Sequence, residues 1–165
     1  MPITVTRTKI IVPRRRANLL TRKRLNTYLD DLLDHKLLLI AAPAGYGKTS
    51  LLVDWVYKND LPVCWYALDP LDQDITRFIS YFIAAISQRF PKYGQQSQAV
   101  LQNLPQSKLD IARIVAAIVN DIYENIEEHF VVVLDDFHSV ETGEEIISFV
   151  NKFVEDVDEN CHVII

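Results

Sequence analysis

The sequence is poor in several things, and each shortage removes a class of protein. It has two cysteines, Cys64 and Cys161, far apart and without metal-ligand spacing. That excludes a disulfide-stapled scaffold and leaves two buried thiols in a reducing compartment as the expectation. No apolar run reaches the roughly 18–20 residues of a membrane span. The opening MPITVTRTKIIVPRRR has charges after its apolar residues and no hydrophobic segment of its own, so it is not a secretory signal. Its Arg-rich, acid-poor character leaves a mitochondrial transit peptide as a lesser alternative. Internal repeats and low-complexity tracts are absent, and there is one methionine.

What is present fits one α/β domain. The chain has 165 residues, 49% of them hydrophobic, enough for one sizeable core and too few for two. Net charge is −5, unevenly spread. The first 24 residues hold eight Lys or Arg and no acid, leaving nine basic against 22 acidic residues in the remainder, a balance of −13. An acidic body is not a nucleic-acid surface. The basic leader, residues 1–20, could touch nucleic acid, fold back on the acidic domain or lie near a bound phosphate. Residues 21–165 form the domain.

Hydrophobic periodicity places the elements. Thr21 is a plausible helix N-cap, with Leu25, Leu29, Leu32 and Leu33 on one face. Residues 37–41 (LLLIA) form a continuous apolar run, expected as a strand buried on both sides. A helix over 48–58 follows, then a second strand over 63–68. Phe78, Ile79, Phe82, Ile83 and Ile86 share helical spacing, as do Ile111, Ile114, Val115, Ile118, Val119 and Ile122. The Gln-rich stretch 92–106 between them reads as an exposed connector. Residues 130–134 (FVVVL) are the third strand. Thr142 and Glu145 suggest a capping box, opening a helix that packs through Ile146, Ile147, Val150, Phe153 and Val154. His162 starts a fourth strand. Alternation of strands and helices implies a parallel sheet with helices on both faces. A chain stopping inside an apolar strand is expected to be a piece of a longer protein.

The segment IAAPAGYGKTS, residues 40–50, nearly matches the phosphate-loop pattern G-x-x-x-x-G-K-[ST], with Ala42 in place of the first glycine. It follows an apolar strand and opens a helix, the context that the pattern requires. Gly45 and Gly47 allow positive φ and close approach to phosphates. Backbone N–H groups at the helix N-terminus then form an anion nest. Lys48 supplies a cation for the β- and γ-phosphates, and Thr49 a hydroxyl for Mg²⁺. Ala42 is tolerable where φ is negative, and Pro43 stiffens the approach. The candidate nucleotide contacts are Ala42, Pro43, Ala44, Gly45, Tyr46, Gly47, Lys48, Thr49 and Ser50.

Asp135 and Asp136 end the third strand, 87 residues after Lys48. Carboxylates at the carboxyl end of a parallel strand reach the ligand crevice of α/β proteins. Asp135 can hold the water shell of Mg²⁺. Asp136 is placed to orient or deprotonate an attacking water, which makes it a catalytic candidate beside Lys48. A solvated or capping carboxylate is the alternative for Asp136.

These motifs resemble those of a known group. The loop from Ala42 to Thr49 looks like the PAGYGKT loop of the maltose-activator (MalT) type of STAND ATPase, within the LuxR-like transcriptional regulators. Residues 134–138 (LDDFH) look like its second motif. Cys64 to Asp69, with Asp72, Arg77 and Phe78, resemble its segment after the second strand. Thr8-Lys9-Ile10, Pro13 and residues 20–25 (LTRKRL) resemble its opening. The resemblance spans residues 8–165, and in that family the first loop position is often Ser or Ala. It implies a P-loop NTPase fold, with the fourth strand between the first and third. It also implies a cytoplasmic, ATP-binding and slowly hydrolysing switch that uses ATP or ADP with Mg²⁺. Self-association with ATP bound, and DNA binding through a separate C-terminal module, are further implications. Arg22 would lie near the nucleotide. Tyr46 would shape the loop or simply be exposed, and His138 would sense the γ-phosphate or cap the loop. The alternatives are a nucleotide-binding assembly module without turnover and a P-loop kinase. The paired acids argue against the kinase.

Overall fold

A computed structural model describes residues 3–103 and 109–165. Among them, four parallel strands form one sheet in the order β1-β4-β3-β2. The strands are β1 (Leu37–Leu38), β2 (Val63–Ala67), β3 (Phe130–Asp135) and β4 (Cys161–Ile164). The helices are α1 (Lys23–Asp30), α2 (Lys48–Val56), α3 (Ile75–Arg89), α4 (Gln95–Asn103), α5 (Ile111–Asn125) and α6 (Glu144–Asp156). The fourth strand lies between the first and third, as the resemblance implied.

The strand period of two divides the core. Val131 and Val133 of β3 pack with Leu29, Leu52, Val53 and Trp55, from the α1 and α2 side. Phe130, Val132 and Leu134 face the larger cluster, built from α3, α5 and α6. There Phe82 meets Phe149 and Phe153 in edge-on contacts with ring centroids 5.3 and 5.0 Å apart. Both layers are needed because β3 is buried throughout.

Several expectations are corrected. The 37–41 run is a short, half-buried edge strand, and Leu39 is 66% exposed. Among the described residues only β4 pairs with β1, although the hydrogen bonding continues through Ile40 N–H to Ile165 O at 2.7 Å. Thr21 does not cap α1. The N-cap is Arg22, and the Thr21 hydroxyl accepts instead from Lys58 Nζ at 2.7 Å. Leu29 and Leu32 are buried, but Leu25 and Leu33 are exposed. The chain tightens into a 3-10 turn over Asp31–Asp34, whose shorter period rotates Leu33 off the apolar face.

The Gln-rich connector contains α4. Its start is held by the buried Asp121 carboxylate, which accepts from Gly94 N–H, Ser97 N–H and the Ser97 hydroxyl. Residues 104–106 of that connector lie outside the described residues. Thr142 belongs to a turn in which Gly143 N–H bonds Val140 O, and Gly143 is the N-cap of α6. Ile147 sits at the surface, and Phe149 takes the buried place.

The basic leader, described from residue 3, lies on the domain. Lys9 pairs with Asp69 at 2.7 Å and with the buried Asp72, which also accepts from Arg77 at 2.9 Å. Thr6 N–H donates to the Tyr81 hydroxyl. Asp69 and Asp72 form a capping box on the 3-10 turn Pro70–Gln73. The acids and arginine of the segment after β2 therefore anchor the leader. Burial pushes the Cys64 and Cys161 thiols up, and neither forms a disulfide among the described residues.

Candidate functional site

The phosphate-loop segment runs from the end of β1 to the N-terminus of α2. Two residues force its curvature. Gly45 has φ +85° and Gly47 has φ +79°, both in the left-handed region that a Cβ disfavours. Gly47 is the N-cap of α2, and its carbonyl accepts from Leu51 N–H at 2.9 Å. The first turn of α2 thus presents backbone N–H groups at the loop, the positive end of the helix dipole. Lys48 donates to Ala42 O at 2.9 Å, tying the end of the loop at α2 back to its first residue. Tyr46 is 64% exposed at the tip.

Arg22 reaches the same loop from the N-cap of α1. Its Nη1 donates to Tyr46 O at 3.1 Å, and a Cβ built at Gly47 would stand 3.3 Å from its Nη2. A side chain 24 residues upstream is thereby packed on the loop backbone.

Thr49, in the first turn of α2, meets Asp135 at the end of β3. The Thr49 hydroxyl lies 2.9 and 3.0 Å from the two oxygens of the Asp135 carboxylate. Asp135 is buried at the end of β3. Burial pushes its carboxyl above the usual carboxylate range and the adjacent Asp136 adds to this, against the Thr49 hydrogen bond, the Asp136 N–H and Lys48. Asp136 follows at φ +58°, a left-handed conformation that Asp tolerates better than most residues. That bend ends the strand and leaves the Asp136 side chain half exposed, 3.9 Å from His138 Nδ1.

A cavity of about 630 Å³ opens over the carboxyl ends of β1, β3 and β4. Ala42, Pro43 and Lys48 line one side, and Asp135, Asp136 and His138 another. Ala42, Pro43 and Lys48 of the phosphate-loop candidates therefore share one cleft with Asp135 and Asp136, whereas Ala44, Gly45, Gly47, Thr49 and Ser50 do not line it. Arg22 and Tyr46 stand on the outer side of the loop. Glu141 also lines the cleft, as do Leu39, Ile40 and Ala41. Sequence reasoning missed them, since no motif marks Glu141 and residues 39–41 read as strand interior.

Two hard oxygen donors, the Thr49 hydroxyl and the Asp135 carboxylate, converge beside the loop. That donor set fits a hydrated magnesium ion, which keeps several waters and takes its remaining ligands from phosphates. No group of three or more His, Cys, Asp or Glu side chains is gathered for a metal among the described residues. A dedicated all-protein metal cage is not what this cleft offers. No helix among the described residues is long and apolar enough to cross a membrane.

The family model described as Nephrocystin 3, N-terminal, matches residues 16–165. Among curated proteins, the chain is similar to the HTH-type transcriptional regulator MalT of Klebsiella pneumoniae. The two are 34% identical over 133 residues, 80% of this chain and 14% of the relative. It is also similar to the HTH-type transcriptional regulator MalT of Yersinia pestis, 31% identical over 160 residues, 95% of this chain and 17% of the relative. The protein of the same name from Yersinia pseudotuberculosis matches to the same extent. The chain spans 14–17% of the length of these curated relatives.

Proposed function

The chain belongs to the Nephrocystin 3 N-terminal family and is homologous to MalT regulators over 80–95% of its length, and from this premise we propose that it is the ATP-binding switch domain of a signal-responsive transcriptional regulator. The observation that carries the proposal is the contact between Thr49 and Asp135. It joins the helix of the phosphate loop to the end of β3, the two elements a nucleotide–metal site needs.

The residues take these roles. Backbone groups from Ala42 to Ser50 bind the phosphates, with Gly45 and Gly47 permitting the approach. Lys48 exchanges its bond to Ala42 O for the β- and γ-phosphates, and it stabilises charge on the transferred group. Thr49 and Asp135 would hold Mg²⁺, which would supply charge neutralisation for the phosphates. Asp136, half exposed on the cleft, orients a water and accepts its proton. Arg22 adds a second cation at the outer face of the loop. The proposal extends to a cytoplasmic regulator that self-associates with ATP bound and meets DNA through a separate C-terminal module.

Phosphate release from ATP is the test of turnover, measured for wild type and Asp136→Asn. Slow release by wild type and at least a tenfold loss in the variant are expected, since general-base contributions run to about 10²–10⁴. If ATP binds and neither protein releases phosphate above background, the chain is a nucleotide-binding module without turnover.

A further inference from the structure

Asp54 is an acid at a core position of α2. Its side chain is 1% exposed, yet it lies in the helix that Lys48 and Thr49 open. It is six residues from Lys48, about 9 Å along the axis, so it does not itself reach the loop's phosphate side. Among the described residues, the side chains that meet it come from residues 15–26 or from Lys58, two residues past the end of α2. Arg15 donates to Oδ1 through Nε at 3.0 Å and Nη2 at 2.8 Å. Lys58 Nζ donates to Oδ2 at 2.7 Å and Asn26 Nδ2 to the same oxygen at 3.3 Å. The Thr21 hydroxyl stands 3.5 Å from Oδ1 and accepts from Lys58.

The partners are informative by position. Thr21 precedes Arg22, and Asn26 is one helical turn after it. The Arg22 carbonyl accepts from both Leu25 N–H and Asn26 N–H. The Asp54 node therefore holds the side chains of Thr21 and Asn26, one on either side of Arg22 in the chain. From that fixed base, the exposed guanidinium reaches Tyr46 O and packs beside Gly47. Without such a base, a long solvent-facing arginine would spread over many rotamers, and its placement on the loop would cost that entropy.

We propose that Asp54 is a positioning residue for the nucleotide site. It gathers Arg15, Thr21, Asn26 and Lys58 so that Arg22 is held on the phosphate loop, and Arg15 makes the basic leader part of that support. The inference rests on the nucleotide reading of the loop. It adds a residue outside the cleft that acts on ligand affinity only through Arg22.

The experiment is a double-mutant cycle on the 165-residue chain. Asp54→Asn and Arg22→Gln are made singly and together, and ATP with Mg²⁺ is titrated calorimetrically while urea unfolding is followed in parallel. Each single variant is expected to weaken ATP about tenfold, within the span of coupled contacts. The double variant should bind no more weakly than Arg22→Gln alone. Its unfolding midpoint should still show the full loss caused by Asp54→Asn. A purely structural Asp54 would lower stability and leave affinity unmoved. Affinity losses that multiply, or wild-type affinity in Asp54→Asn, would overturn the proposal. If Asp54→Asn does not fold, Arg15→Gln replaces it, because Arg15 is one-third exposed and lies outside α2. The same pattern is then expected, and independent losses again overturn it. Lys48→Ala separates the two claims. Wild-type ATP affinity in that variant sinks the nucleotide reading itself. Loss of ATP there, together with an additive cycle, sinks only the role of Asp54.

Discussion

Replacing Asp54 by Asn should change how stability depends on pH, by an amount the structure sets. Burial alone would raise the Asp54 carboxyl. Lys58, Arg15 and Asn26 more than reverse this and hold it at about 2, against an ordinary value of 3.8. A carboxyl lowered that far is worth about 2 kcal/mol, after allowing for cations that stay partly exposed to solvent. Lys58 is 40% and Arg15 33% exposed, which is the reason for the allowance. The sign follows from the lowered value. The unfolded chain binds the proton more readily, so the contribution is complete above pH 3.8 and is lost as pH falls towards 2. About half is gone by pH 3. Urea unfolding, followed through the buried Trp55 and Trp65, reads it directly. Other carboxylates titrate alike in both proteins and cancel in the difference. The stability gap between wild type and Asp54→Asn should shrink by about 1 kcal/mol between pH 7 and pH 3. A gap that stays constant over that interval would refute the ion-paired node.

Gly47→Ala places a Cβ at φ +79° and 3.3 Å from Arg22 Nη2, so it should cost about 1–2 kcal/mol of stability and also weaken ATP, read by urea midpoint and calorimetry. Gly45→Ala meets no atom within 4 Å, so its stability loss is that of backbone strain alone, about 1–2 kcal/mol. Phe82→Ala should cost about 3–5 kcal/mol, since its ring is enclosed by Phe78, Phe149 and Phe153. Cys64 and Cys161 should react with a thiol reagent only at the rate of global opening. Fast labelling of either in the native protein would contradict their burial.

The sheet and the site were legible in the sequence to different depths. The run at 130–134 is buried in the sheet centre, and the run at 63–67, though on the sheet edge, is buried through its three middle residues; uniform apolarity reports that well. The same signal misled at 37–41, because an edge strand and a central one carry similar letters. The meeting of Thr49 with Asp135 was foreseeable, since both motifs sit where strand ends converge. Capping failed where a distant side chain competed. Lys58 took the Thr21 hydroxyl, and Asp121 built the start of α4 from across the fold. The Asp54 node was likewise invisible as a motif. Its one local trace is an acid beside Trp55 on an apolar helix, with Lys58 one turn on. Its other partners come from residues 15–26, and only the folded chain brings them together.

The nucleotide site stands or falls on Lys48. Calorimetric titration of ATP with Mg²⁺ into wild type and Lys48→Ala tests it most directly. The account predicts saturable binding by wild type and none measurable in the variant, with the two proteins equally stable in urea to within about 1 kcal/mol. Equal affinity in the two proteins, or no binding to the wild type, would contradict it.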